Sequence, residues 1–249
     1  MVNTSLFLVV ILLANIMQGI TGFAGTILAM PPGLMLVGYP VAKPVLNVLG
    51  LLSGIYVLSG HKDQVCWKEV RKIVIVMALG ILAGIGIRGA FAGKEQMLYK
   101  LLGFFVIFLA VQGFWGSLKR RGEEPEGPEH GKDSPALAVL LVLAGIVHGI
   151  FVSGGPLLIG YLTKKVKDKV SFRATISTVW VFLNTVILVD DIRSGLWNPS
   201  LLAVQAVSIP FLLAGMFIGS RLYARMSQAL FMGLTYILLF VSGISLLLK

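Results

Sequence analysis

Charge is scarce in this chain. Only 13% of its 249 residues are Asp, Glu, Lys or Arg, about half the share found in soluble domains. Acids are the rarer sign, 11 against 21 basic residues. Inside the apolar stretches they form no pair, no His/Asp set and no nucleophile–base spacing, so no enzyme is read here. The one cysteine, Cys66, excludes an intramolecular disulfide and a multi-cysteine metal cluster. Of three histidines, only His148 falls inside an apolar run. The first four residues carry no Lys or Arg. The positive start of a cleavable signal is therefore missing, and the first apolar run is expected to stay in the mature protein. The apolar runs also lack the strict alternation of a membrane β-barrel.

Apolar residues fill the space that charge leaves. They make up 57% of the chain, with a mean hydropathy of +0.90, which reads as an all-α polytopic membrane protein. Ten hydrophobic segments stand out, at 5–20, 25–39, 43–60, 72–90, 97–116, 136–149, 155–163, 171–189, 200–219 and 228–248. A full crossing takes about 20 residues. The first, second, sixth and seventh are short, which predicts half-helices that dip in and return, or broken crossings. Trp67, Trp115 and Trp197 sit near segment ends as interfacial anchors do, and Trp180 does not. The net charge of +10 is no nucleic-acid signal, because the basic residues lie in short loops between spans.

Two of the runs are interrupted by glycines and then resume. The first reads Gln18-Gly19-Ile20-Thr21-Gly22-Phe23-Ala24-Gly25-Thr26, with Pro31-Pro32 beyond. The second, 130 positions on from Gln18, reads His148-Gly149-Ile150-Phe151-Val152-Ser153-Gly154-Gly155-Pro156. Interrupted backbone at membrane depth must face protein or water. A matched pair of breaks in two halves points to a transporter binding site. A polar stretch rich in Glu, Pro and Gly divides the halves. The expected organisation is a first repeat at 1–116, a flexible linker at 117–135 and a second repeat at 136–249. Asn47 aligns with Thr178 and Ala83-Gly84-Ile85 with Ala214-Gly215-Met216, each 131 positions apart. Five segments per half make the repeats inverted in topology. Fifteen basic residues then fall on the side holding the linker and six on the other. This bias predicts a cytoplasmic linker and both termini outside.

A half-helix beginning near Thr26, and another near Gly155, would each offer free N–H groups and partial positive charge to an anion. Glycines at 22, 25, 154 and 155 allow close backbone approach, Pro156 suits a first helical turn, and Thr21, Thr26 and Ser153 add hydroxyls. The bland alternative is that the glycines only let helices pack closely. His148 adds charge, carries a coupled proton, or is a neutral group bonded across helices; Gln18 stands at its matching position. Asn47 and Thr178 would line the site from two walls, with interhelical hydrogen bonding as the alternative, which holds equally for Ser177 and Asn184. Lys43 and Arg173 are read as interfacial or snorkelling residues, with a role at a gate or mouth as the second reading. Arg88 is placed near an interface, and Asp190-Asp191 at the solvated outer surface.

At the two breaks the chain resembles the TauE/SafE family of sulfite exporters, the TSUP anion permeases. The marks are Gly22-Phe23-Ala24-Gly25 running to Pro31-Pro32-Gly33-Leu34, and Ser153-Gly154-Gly155-Pro156-Leu157-Leu158. The family's fuller glycine triplet is replaced by Phe23-Ala24 in one copy and by Ser153 in the other. The resemblance implies a secondary transporter, working outward, for sulfur-containing or organic anions such as sulfite, sulfonates, thiosulfate or sulfide. An anion channel, or a membrane scaffold or partner subunit, is the alternative function. The expected partners are a small anion, the lipid bilayer of the inner membrane and a coupling proton. No nucleic acid, cofactor or metal is expected, and a homodimer is left open.

Overall fold

A computed structural model of the chain describes residues 2–87, 135–151 and 154–248, with scattered positions between 100 and 115. The linker, Arg88, Ser153 and most of the fifth segment lie outside the described residues. The described part is helical and contains no strand. In chain order the helices are α1 (Val2–Thr21), α2 (Ala24–Val37), α3 (Tyr39–Gly60), α4 (Trp67–Ile87), α5 (Pro135–Phe151), α6 (Gly155–Lys165), α7 (Lys169–Arg193), α8 (Pro199–Ala224) and α9 (Gln228–Leu247). Each of the nine segments named above other than the fifth appears as one helix. Among the described residues, α1, α3, α4, α7 and α8 are long and apolar enough to cross a membrane. The outward stripes of these helices are apolar, as with Leu6, Val9 and Leu13 on α1 and Ile75, Leu79 and Leu82 on α4. A helix facing water would carry charge there. The chain is an all-α, multi-pass membrane protein.

One sequence expectation shifts. The first segment was expected to be short, but α1 holds 20 residues, the length of a crossing. Val2–Ser5 extend it because Asn, Thr and Ser pass in a helix without adding charge. By contrast α2 has 14 residues and α6 has 11.

The helices form two compact units, and each draws on both halves of the chain. The first comprises residues 1–74 and 173–225, the second 75–172 and 226–249. In the first unit α1 runs alongside α8. A Cβ on Gly215 would lie 2.7 Å from the Leu12 carbonyl oxygen, and one on Gly219 2.2 Å from that of Ile16. Both numbers rise together along the chain, so the helices are parallel. Their closeness needs the small residues spaced four apart at 215 and 219, facing Asn15 and Gly19. In the second unit α4 and α5 cross in the same way. Gly80 meets the Val142 carbonyl and Gly145, at 2.8 and 2.9 Å from its notional Cβ, and Gly84 meets the Ile146 carbonyl at 2.4 Å. The two crossings match at 130 positions on the first helices and 135 on the fourth. Gly84 therefore corresponds in packing to Gly219, one turn from the Gly215 of the sequence alignment. That alignment matched the Ala-Gly pair by identity, whereas the packing pairs the glycines that meet the first helix of the other half.

Candidate functional site

The first break is real and short. Helix α1 closes with the Gly22 N–H donating to the Gln18 carbonyl at 2.7 Å. Gly22 then adopts φ +81°, a left-handed conformation that side chains resist, and α2 starts at Ala24. A Cβ on Gly22 would sit 2.7 Å from Ser177 Oγ. Glycine is thus required twice, for its dihedral and for its size.

The amides that open α2 are capped from within. Thr21 Oγ1 accepts from Ala24 N–H at 3.2 Å and Phe23 N–H at 3.4 Å, while donating to the Met17 carbonyl. Gln18 Oε1 accepts from Gly25 N–H at 2.8 Å, and its Nε2 donates to Ser53 Oγ at 2.9 Å and to the Gly22 carbonyl at 3.2 Å. Gln18, Thr21, Gly22 and Gly25 are all buried, and Thr26 is half-buried. These two neutral oxygens occupy the positions an oxyanion would take at a helix start. Thr26 lies close by, its Oγ1 3.3 Å from a Cβ on Gly50, where Asn184 Nδ2 is 2.7 Å away. Gly19, in contrast, serves the α1–α8 crossing, as the packing reading of the glycines has it.

Helices α3 and α7 run antiparallel in this unit and share a polar seam. Asn47 Nδ2 donates to the Asn184 carbonyl at 3.1 Å, and Asn47 Oδ1 is buried with no partner. Thr178 turns inward on its own helix and donates to the Ala174 carbonyl at 2.8 Å. Ser177 Oγ is buried without a partner.

The two basic residues are not at an interface. Lys43 and Arg173 are each 2% exposed, so the interfacial and snorkelling readings fail for both. Lys43 pairs with Asp191, which is fully buried. The expectation of a solvated Asp191 is therefore overturned: its side chain turns into the α3–α7 seam, where a buried carboxylate requires a cation. Asp190 stays half-exposed. Arg173 donates from Nη2 to Ser220 Oγ at 2.8 Å and lies 4.5 Å from the centre of the Tyr223 ring. Its Nε has no partner, and no carboxylate pairs with it among the described residues. Its backbone carbonyl comes within 3.1 Å of a Cβ on Gly22.

In the second unit, α5 stops at Phe151 and α6 begins at Gly155, with Gly154 as its N-cap and proline in the first turn. Gly154 is pressed onto α5. Its notional Cβ would be 2.2 Å from the Ala144 carbonyl oxygen and 2.7 Å from His148 Cβ. His148, Gly154 and Gly155 are buried. At the 130-position offset Phe151 stands in sequence where Thr21 does in the first break, and Ser153 lies outside the described residues. Among the described residues no His, Cys, Asp or Glu cluster fits a metal ion.

Sequence reasoning missed Ser53, Asp191 and Ser220. Lone serines in apolar helices carry no signal by themselves. Asp191 did carry one, as an acid at the end of an apolar run, but its partner lies 148 positions away.

The model of the sulfite exporter TauE/SafE family matches residues 7–246, nearly the whole chain. Among curated proteins the chain is 25% identical over 184 residues to the probable inner membrane transporter protein TsaS of Comamonas testosteroni, covering 74% of this chain and 73% of the relative. No solved structure matches. With a broken membrane helix and a family match spanning both halves, this chain belongs to the TauE/SafE sulfite exporter family.

Proposed function

We propose that this protein is a secondary transporter, working outward across the inner membrane, for a small sulfur-containing or organic anion such as sulfite or a sulfonate. The substrate displaces the internal oxygens at the first break and engages the amides that open α2, with Gly22, Gly25 and Thr26 beside it. His148, Ser153, Gly154 and Gly155 play the matching part at the second break, and Asn47 and Thr178 line the route. Movement is alternating access between inverted repeats.

The observation that carries this reading is the pair of oxygens, Gln18 Oε1 and Thr21 Oγ1, held on three successive amides at a helix start. A neutral oxygen is readily exchanged for a charged one, which gains from the helix dipole. The repeated crossing of a first and a fourth helix supports the inverted repeats, because an odd number of spans per half makes those two helices run parallel. The family description supports the substrate class, and the relative's name supports inner-membrane transport.

The test is counterflow of sulfite and of sulfonates in proteoliposomes. Saturable counterflow is expected. In Gly25→Ala, where the new methyl would press on the Gln18 side chain at 2.8 Å, counterflow should fall tenfold or more, about 1.4 kcal/mol, with the protein still folded. Unitary currents without counterflow would replace the carrier with a channel. Absence of any anion flux would reject transport and leave a scaffold.

A further inference from the structure

The Lys43–Asp191 pair has no place in the site at the breaks. A buried ion pair contributes little net stability, since desolvation of both charges offsets their attraction, and ionisable residues inside membrane helices mark ion and substrate pathways. Neither charge is aided by its own helix. Asp191 stands in the last turn of α7 and Lys43 near the start of α3, each at the end of a helix dipole that favours the opposite sign. The pair lies one turn from the end of α7, where Arg193, Ser194 and Gly195 are exposed. One turn further along α3 on the same face is Asn47, whose Oδ1 is buried and unfilled. Hydrophobic residues would close this seam more cheaply than a cation, an anion and an orphan acceptor.

We infer that Lys43 and Asp191 form an anion site at the mouth of the first unit, where a singly charged anion replaces the Asp191 carboxylate on the Lys43 ammonium while Asp191 takes up a proton. The exchange balances. Before it the seam holds one ammonium and one carboxylate; afterwards it holds the ammonium, the bound anion and a neutral carboxylic acid. Asn47 Oδ1 accepts the ammonium hydrogen that Asp191 releases. A doubly charged anion would leave a negative charge buried, so hydrogensulfite and sulfonates are favoured over sulfite and sulfate dianions. Of the other titratable groups described in the unit, Tyr39 lies one turn before Lys43 on α3, while Tyr56 and the charged residues of 61–72 lie at or beyond the opposite end of α3. Helices α1 and α2 carry no ionisable side chain, and α8 has Arg221 and Tyr223 near its far end. On α7 itself, Arg173 is turned toward Ser220, Lys169 lies at the opposite end, and Asp190 and Arg193 are partly or fully exposed. This site rests on the reading of the protein as an anion carrier.

Methanesulfonate is a suitable probe because its own charge does not change with pH. Its half-saturation is measured by counterflow on the full-length protein in proteoliposomes. In the wild type, half-saturation should rise with pH by up to about tenfold per unit, the limit for one linked proton. In Asp191→Asn the profile should be flat, with tight binding retained at alkaline pH. If that variant does not fold, the neutral double variant Lys43→Gln/Asp191→Asn carries the test, and its profile should be flat with weaker binding throughout. A wild-type pH slope in either variant, or a flat profile in the wild type, overturns the mouth site alone. No saturable binding of any anion in the wild type overturns the transport reading and this site with it.

Discussion

At the scale of single residues, the first break depends on a few atoms whose identities the sequence displays but whose roles it hides. Gly22 is legible as a helix breaker. That Ser177 Oγ sits against it, with no space for a methyl, is not, because Ser177 is 155 positions away on α7. Gly22→Ala should therefore destabilise the protein by more than the 1–2 kcal/mol of a left-handed residue alone, read from thermal unfolding in detergent. An unchanged melting temperature would remove the argument that glycine is required there. Thr21→Val keeps the shape and loses the cap of two amides, which should cost about 1 kcal/mol; Thr21→Ser should restore it. The hydroxyl of Thr21 was read from the sequence as a ligand for an anion. Its oxygen instead accepts from the Phe23 and Ala24 N–H groups, the amides that the anion would use.

At the scale of helices, hydropathy and length were enough to find the elements but not their ends, since α1 and α4 begin in polar residues that the apolar segments leave out. Pairing was not legible. Helix α1 meets α8, nearly two hundred positions away, and α4 meets α5 across the polar stretch. Both crossings depend on glycines that the sequence shows as scattered, since a pair of small residues four apart has meaning only when another helix lies on it. Gly219→Val should prevent stable insertion, because its first side-chain carbon already falls 2.2 Å from the Ile16 carbonyl oxygen. Gly233→Ala on α9, where a Cβ meets nothing within 4 Å, should leave thermal stability unchanged or slightly raised. Yield and melting temperature of the two purified variants check the contrast. Equal behaviour would mean that the α1–α8 contact carries no stability.

At the scale of the whole molecule, neither sequence half contains a compact unit of its own. The first unit takes α1 to α3 from one half and most of α7 and all of α8 from the other, and the second is likewise mixed. A chain cut within the polar stretch at 117–134 and expressed as two pieces should regain transport when both are made together, and neither piece alone should accumulate. Accumulation of one half by itself as a folded, monodisperse protein would count against this interleaving. Two burials also change the count of topogenic charges. Lys43 and Arg173, tallied on opposite sides, are both inside the protein, and the bias toward the linker side persists without them.

The membrane class, the helices, the two breaks and the family were all determined by the sequence, because hydropathy, helical length and glycine placement are local and need no partner. Only the tertiary structure decided that Gln18 and Thr21 cap α2, that Lys43 holds Asp191, and that the halves are interleaved. The ion pair and the interleaving turn on groups brought together from far apart in the chain, and the cap turns on side-chain directions that packing sets, because in a membrane interior a polar group has only the neighbours that packing supplies.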